Sequence, residues 1–252
     1  MVLRGLNMRL KIDLYKENFT VPIGYNHILQ GTIYNMLNSE EEGAFYHNEG
    51  YRLDEKVYKM FVFSNLFGSY SIVKKSMVFK DKFCFYISAM DDFFIEKIYE
   101  YCSSHKYLTM LNQKVLIKDI HIMKEDRIQG VEKVWVKTLS PISVYSTQDD
   151  FTTYYSPIQE EFEQLIRRNL LNKVYAYDLD YQQEVFDILE VKNVKERMVK
   201  YKDCFYKAYH LKMKIEVSPN LLHLIYNSGI SSKGSCGFGM IEVCHEKNDL
   251  SV

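Results

Sequence analysis

Asn227-Ser-Gly-Ile-Ser-Ser-Lys-Gly-Ser-Cys-Gly-Phe-Gly-Met-Ile-Glu-Val243 is the stretch from which the rest of the chain can be read. Just upstream, Ser218-Pro219 predicts a helix start, with serine as the N-cap and proline at the first helical position. Leu221, Leu222, Leu224 and Ile225 give that short helix an apolar side, and Gly229 stands where a glycine ends it. Downstream, residues 240–243 have the composition of a strand. Between them lie glycines and serines with one lysine, so the backbone can approach a ligand closely. Successive exposed N–H groups there would form a concavity suited to phosphate oxygens. On composition alone, a tight connection within a small sheet is the better explanation.

Working outward, the chain carries the same order of elements twice. Leu10, Ile12 and Leu14 alternate with Arg9, Lys11 and Asp13, the pattern of a half-buried strand. After the Pro22–Gly24 turn, residues 25–38 have helical spacing, with Leu29, Ile33, Met36 and Leu37 buried and Tyr34 beside that stripe. Phe45-Tyr-His-Asn-Glu-Gly-Tyr51 reads as a loop, and residues 59–64 as a strand. Residues 72–79 and 83–90 suggest a hairpin around Lys80-Asp-Lys82. Asp91-Asp92 can cap a helix bearing Phe94, Ile98, Tyr101 and Cys102, and residues 114–123 close the half as a strand. The second half opens on residues 135–145, interrupted by Ser140-Pro141, as at an edge or bend. Ser156-Pro157-Ile158-Gln159 reads as a capping box for a helix with Ile158, Phe162, Leu165 and Ile166 inward. Strands over 194–202 and 204–217, the Ser218 helix and a last strand complete the set. Each half is then β-α-β-β-α-β, the ferredoxin-like order. The expected class is α+β: tandem ferredoxin-like domains over 8–126 and 127–252, joined near 125–130, with a C-terminal glycine-rich loop.

Composition narrows the function. A chain of 252 residues that is 47% hydrophobic can bury one large core or two ordinary ones. It has no apolar run of about 18 residues, and residues 1–7 lack a secretory apolar region, so a cytoplasmic protein without membrane contact is expected. Those seven residues read as a dispensable extension. The five cysteines show no metal-ligand spacing, and neither metal nor cofactor is expected. Net charge is −1, so any nucleic-acid binding needs segregated charge. Segregation is present: residues 192–214 hold eight lysines and arginines against two acids, while 40–42, 160–163 and 178–190 are acid-rich. Such runs also suit plain solvated faces. Twenty-one tyrosines supply stacking surfaces.

Gly229, Ile230, Lys233, Gly237, Phe238, Gly239 and the strand 240–243 together resemble the glycine-rich loop of the RAMP superfamily, the ferredoxin-like RNA-binding proteins of CRISPR systems. Ser231 stands where that pattern usually has a second glycine. Leu29-Gln-Gly-Thr-Ile-Tyr-Asn35, Tyr46-His47, residues 59–64 and Thr138-Leu-Ser-Pro-Ile-Ser-Val144 match the same family in order. The resemblance is strongest to its endoribonucleases that cut repeat RNA into guide units. It implies cleavage within each repeat, without metal, by 2′-hydroxyl attack that leaves a 2′,3′-cyclic phosphate and a 5′-hydroxyl. Carried over by motif, the catalytic residues are Tyr34, His47 and Lys59, with Arg52 and Lys56 as alternatives to Lys59. Taken alone, each has a plainer reading: a packing tyrosine, a surface histidine, a solvent-facing lysine. The resemblance also implies RNA contacts at Lys233 and at the amides around Gly229, Gly237 and Gly239. Arg167, Arg168, Lys200, Lys202, Lys212 and Lys214 are added as RNA-binding candidates on charge. The expected partner is CRISPR repeat RNA or precursor guide RNA, with other CRISPR effector subunits as further partners and a monomeric or homodimeric state. The competing readings are a subunit that holds guide RNA without cutting it, and a nucleotide-binding ferredoxin-like enzyme. The second lacks a Gly-x-x-x-x-Gly-Lys-Ser/Thr motif.

Overall fold

The computed structural model describes residues 8–37, 45–124, 128–179 and 184–244. The expected extension 1–7, the acids at 40–42 and part of the expected join, 125–127, lie outside the described residues.

The first half follows the alternation of its opening strand. In β1 (Met8–Tyr15), Leu10, Ile12 and Leu14 are buried and lie opposite Ile87, Phe85 and Phe83 of β7 (Ser76–Ala89). After β1 come β2 (Phe19–Pro22), α1 (Asn26–Met36), the hairpin β3 (Tyr51–Leu53) and β4 (Lys56–Tyr58), then β5 (Phe61–Phe63) and β6 (Phe67–Val73). Beyond β7 follow α2 (Asp92–Ser104), β8 (Tyr107–Met110) and β9 (Gln113–Lys124). β7 and β9 flank β1, and β5 and β6 pair on β7, all antiparallel. The inner face packs on α1 and α2 around a phenylalanine-rich core. Asp91 caps α2 as expected, accepting from the Phe93 amide at 3.0 Å.

The second half repeats the order. It runs β10 (Glu132–Thr138), β11 (Tyr145–Gln148), β12 (Phe151–Tyr154), α3 (Glu160–Ala176), β13 (Phe186–Tyr201), β14 (Cys204–Val217), α4 (Pro219–Ser228) and β15 (Ile241–Cys244). Its sheet is β13-β14-β10-β15. Leu211, Met213, Ile215 and Val217 face α3 and α4, while His210, Lys212 and Lys214 take the other side. The protein is thus α+β with two ferredoxin-like sheets.

Several local expectations need correction. The hairpin turn is Lys74-Lys75, since Val73 pairs with Ser76, and Lys80–Lys82 stays inside β7, where Lys82 pairs with Tyr15. Residues 45–49 form a wide helical turn closed by the Gly50 amide on the Phe45 carbonyl at 2.8 Å. The strand expected over 59–64 spans only Phe61–Phe63. Ile158 is 90% exposed because α3 starts two residues later, at Glu160. Only half of the capping box forms, with Gln159 Oε1 accepting from the Ser156 amide. β13 begins at Phe186, eight residues ahead of the expected start. β10 ends at Thr138, but Ile142 pairs with Tyr209 of β14 beyond Pro141, so the interruption expected at Ser140-Pro141 is a bend in the path rather than its end.

The halves meet through residues that alternation places on the outer side of β1 and β7. Arg9 and Ser88, paired across those strands, both donate to the Tyr226 carbonyl, at 2.7 and 2.9 Å. Arg9 also donates to the Ile241 carbonyl at 2.8 Å, and its guanidinium lies 3.6 Å above the Tyr226 ring. A planar cation that bonds two carbonyls and stacks on an aromatic face is a site that lysine cannot reproduce.

Candidate functional site

The glycine segment is folded inward. The amides of Gly229, Gly237 and Gly239 donate to the carbonyls of Ile225, Gly234 and Pro141, each at 2.9 Å. Ile230 closes the segment by donating to Gly239. A Cβ on Gly237 would lie 2.5 Å from Phe63 Cε2, and one on Gly239 would lie 2.6 Å from Ser231 Cβ. The three glycine amides expected to face phosphate are therefore satisfied within the protein, and the glycines serve close packing. What faces outward is the rim at Ser232 and, half-buried, Lys233, Ser235 and Cys236. Ser231 fits its position because its hydroxyl donates to the Ser143 carbonyl at 3.1 Å.

One side of α1 holds this segment. Asn26 Nδ2 donates to the carbonyls of Cys236 and Gly237, at 3.0 and 3.2 Å, and Gln30 Nε2 to that of Ser235 at 2.6 Å. One turn further, Tyr34 stands edge-on to Phe61, with ring centroids 5.7 Å apart. Its hydroxyl donates to the Tyr46 carbonyl at 3.3 Å, which ties α1 to the turn that carries His47. Burial raises the Tyr34 pKa, so the phenol keeps its proton at neutral pH. The His47 side chain lies outside the described residues, but its backbone is in the Phe45–Glu49 turn. Lys59 reaches the same turn. A Cβ on Gly50, whose φ is +66°, would lie 3.1 Å from Lys59 Cδ. Burial and the Arg52 guanidinium both lower the Lys59 pKa. The structure thus brings the Tyr34 side chain, the His47 backbone and the Lys59 side chain around one turn. Arg52 is near, whereas Lys56 lines a neighbouring cleft.

That cleft, of about 520 Å³, runs between the β3–β4 hairpin, α3, the 143–147 segment and the glycine segment. Lys56, Arg168 and Lys233 supply cations to its walls. Burial works against the charge of Lys233, yet Tyr145, Tyr206 and Cys236 more than offset this and raise its pKa. Arg167 is placed differently: it bonds Glu163 at 2.8 Å and Asp187 at 2.7 Å, so its charge is already matched. Lys212 lies 4.9 Å from the Trp135 ring centre on the open sheet face, and Lys214 pairs with Trp135 across the strands. Lys200 and Lys202 flank Tyr201 at the tip of the β13–β14 hairpin, where the Tyr201 hydroxyl donates to Gln30. Apart from Arg167, the RNA-binding cations therefore fall into three groups: the cleft, the open face and the hairpin tip. Sequence reasoning missed Asn26 and Gln30, although their spacing from Tyr34, at steps of four, marks a polar stripe on α1. It also gave no role to Lys173, under the glycine segment.

Comparison with known proteins bears on both halves. Residues 123–243 match the family model described as CRISPR associated protein Cas6, C-terminal. The CRISPR-associated endoribonuclease Cas6 1 of Methanocaldococcus jannaschii is 26% identical over 255 residues, covering 96% of this chain and 95% of that protein. The CRISPR-associated endoribonuclease Cas6 of Pyrococcus furiosus is 27% identical over 246 residues, covering 94% and 90%. A solved structure described as a Cas6-related gene product from Pyrococcus furiosus shares the fold, with a TM-score of 0.79 at 21% identity over 95% of this chain and 99% of that one. This chain is similar over nearly its whole length to the CRISPR-associated Cas6 proteins, and residues 123–243 match the model of their C-terminal region.

Proposed function

We propose that this protein is an endoribonuclease that cuts CRISPR repeat RNA within each repeat to release guide RNAs. The observation that carries the reading is the convergence of Tyr34, the His47 turn and Lys59 beside a basic cleft, in a chain similar end to end to Cas6 endoribonucleases.

The chemistry follows from what these groups can do. The 2′-hydroxyl oxygen attacks the adjacent phosphorus, the bond from phosphorus to the 5′-oxygen breaks, and a 2′,3′-cyclic phosphate and a 5′-hydroxyl result. One proton leaves the attacking oxygen and one reaches the departing oxygen, and an imidazole at position 47 suits either transfer near neutral pH. Tyr34 is kept protonated by burial and donates that proton to the Tyr46 carbonyl, so its oxygen is left to accept from the 2′-hydroxyl and orient it. Lys59 supplies the cation that offsets charge on the phosphorane. Arg168, Lys56 and Lys233 hold the backbone of the RNA in the cleft.

The test is a cleavage assay on a CRISPR repeat RNA from the locus that encodes the chain, in excess EDTA, beside a copy with a 2′-deoxy nucleotide before the cut. The normal repeat should be cut at one position and the deoxy repeat should bind and stay whole. Cleavage of the deoxy repeat, or activity that returns only with magnesium, would contradict the mechanism.

A further inference from the structure

Lys173, in the last turn of α3, is 3% exposed, and none of its bonding partners is a carboxylate. Its Nζ donates to the carbonyls of Ser228, Gly229 and Ser231, at 3.0, 2.5 and 3.1 Å, with the Ser228 hydroxyl at 3.3 Å. Those carbonyls belong to the end of α4 and the start of the glycine segment. A helix C-terminus concentrates partial negative charge, and a buried ammonium is among the costliest groups to place without an acid. Methionine would fill the same space but would leave three buried carbonyls without a donor. The next residue along, Asn172, and the bonded Ser231 both line the cleft, so the ammonium lies just behind its wall.

We propose that Lys173 is a positioning residue for RNA: its buried ammonium gathers the end of α4 and the glycine segment into the shape that presents Ser232 and Lys233, and its charge strengthens the hold on phosphate in the cleft. The inference rests on the RNA-processing reading above. A charge behind the wall acts on phosphate through protein rather than through salt water, so it is weakly screened.

Burial pushes the Lys173 pKa down to about 7. The elements packed on α3 bring Arg52 and Tyr58 from the hairpin, Tyr145 from β11, His223 from α4 and Lys233 from the glycine segment. β13 brings Asp187, already bonded to Arg167. Burial, rather than any of these, sets the Lys173 equilibrium. Two trends of opposite sign follow. Bound phosphate favours the charged amine, so affinity falls as pH rises through about 7, about tenfold for each unit by which RNA raises the pKa. Folding runs the other way, because the unfolded lysine keeps its proton to about pH 10.4, so stability rises from about pH 7 upward. A lysine with a merely structural role would move affinity and stability together.

The test measures dissociation constants for the uncuttable 2′-deoxy repeat, and melting temperatures, from about pH 6 to about pH 9 on the full chain. Wild type should bind about tenfold more weakly at the upper end while its melting temperature climbs. Lys173→Met should bind weakly throughout, with neither trend. Lys173→Arg, charged across the range, should bind equally at both ends, and it carries the test where Lys173→Met does not fold. Either variant keeping the wild-type pH slope in affinity would overturn the role of Lys173 alone. A wild-type chain that binds no repeat RNA at any pH would overturn the RNA reading beneath it.

Discussion

At the scale of single residues, the site is shaped by groups whose chemistry is set by burial. Tyr34 shows this most clearly. Its phenol is raised above its ordinary pKa, so it stays neutral across the working range and can donate but not abstract a proton. Tyr34→Phe is therefore expected to slow single-turnover cleavage by about tenfold, the worth of one hydrogen bond, and by the same factor at pH 6 and at pH 9. A deficit that grows steadily with pH would mean that the wild-type phenolate acts as a base. Tyr34 was legible as a candidate because the motif names it, but its protonation state was not. That depends on Phe61 and the 45–49 turn, which are distant or irregular in sequence.

At the scale of elements, the glycine segment changes meaning once its neighbours are present. Glycine spacing alone suggested amides open to phosphate, whereas the structure spends the Gly229, Gly237 and Gly239 amides on Ile225, Gly234 and Pro141. The partner across the chain, Phe63 against Gly237, could not be read from a local pattern. Gly237→Val adds a side chain at φ +80° against Phe63 and Asn26, and should lower the melting temperature by about 5–10 °C. Gly130→Val, with nothing within 4 Å of its added Cβ, should leave it unchanged within about 1 °C. Equal effects of the two would remove the packing account of the segment. The elements that were read correctly share a cause. β1, α2 and β14 each show one clean period, and Ser218-Pro219 with Gly229 bracket α4 from both ends. The misplaced hairpin turn fails for the opposite reason. Lys74 sits at φ +54° without glycine or asparagine to announce it, while Lys80-Asp-Lys82 looked more turn-like and is strand.

At the scale of the whole molecule, the two halves meet at the proposed site. The first half supplies Tyr34, the His47 turn and Lys59, and the second supplies the glycine segment, Arg168 and Lys233. The joint combines polar contacts, with Arg9 and Ser88 on the α4 end, Asn26 and Gln30 on the glycine segment and Tyr201 reaching from the β13 tip, and apolar ones, with Val62 packed among Leu139 and Met240. The repeated order of elements was visible in the sequence, but this joint was not, because its polar and apolar residues are ordinary ones whose partners lie far away in the chain. The account's central claim is that this shared site cuts RNA through His47, and a single pair of assays addresses it. His47→Ala should reduce the single-turnover rate on the cognate repeat by about 10²–10⁴, the usual cost of a lost general acid or base. Its affinity, set mainly by cations and the cleft, should stay within about twofold in a gel shift on the same labelled RNA. Cleavage by His47→Ala at the wild-type rate would contradict the account, and a wild-type chain that binds the repeat without cutting it would favour a guide-holding subunit instead.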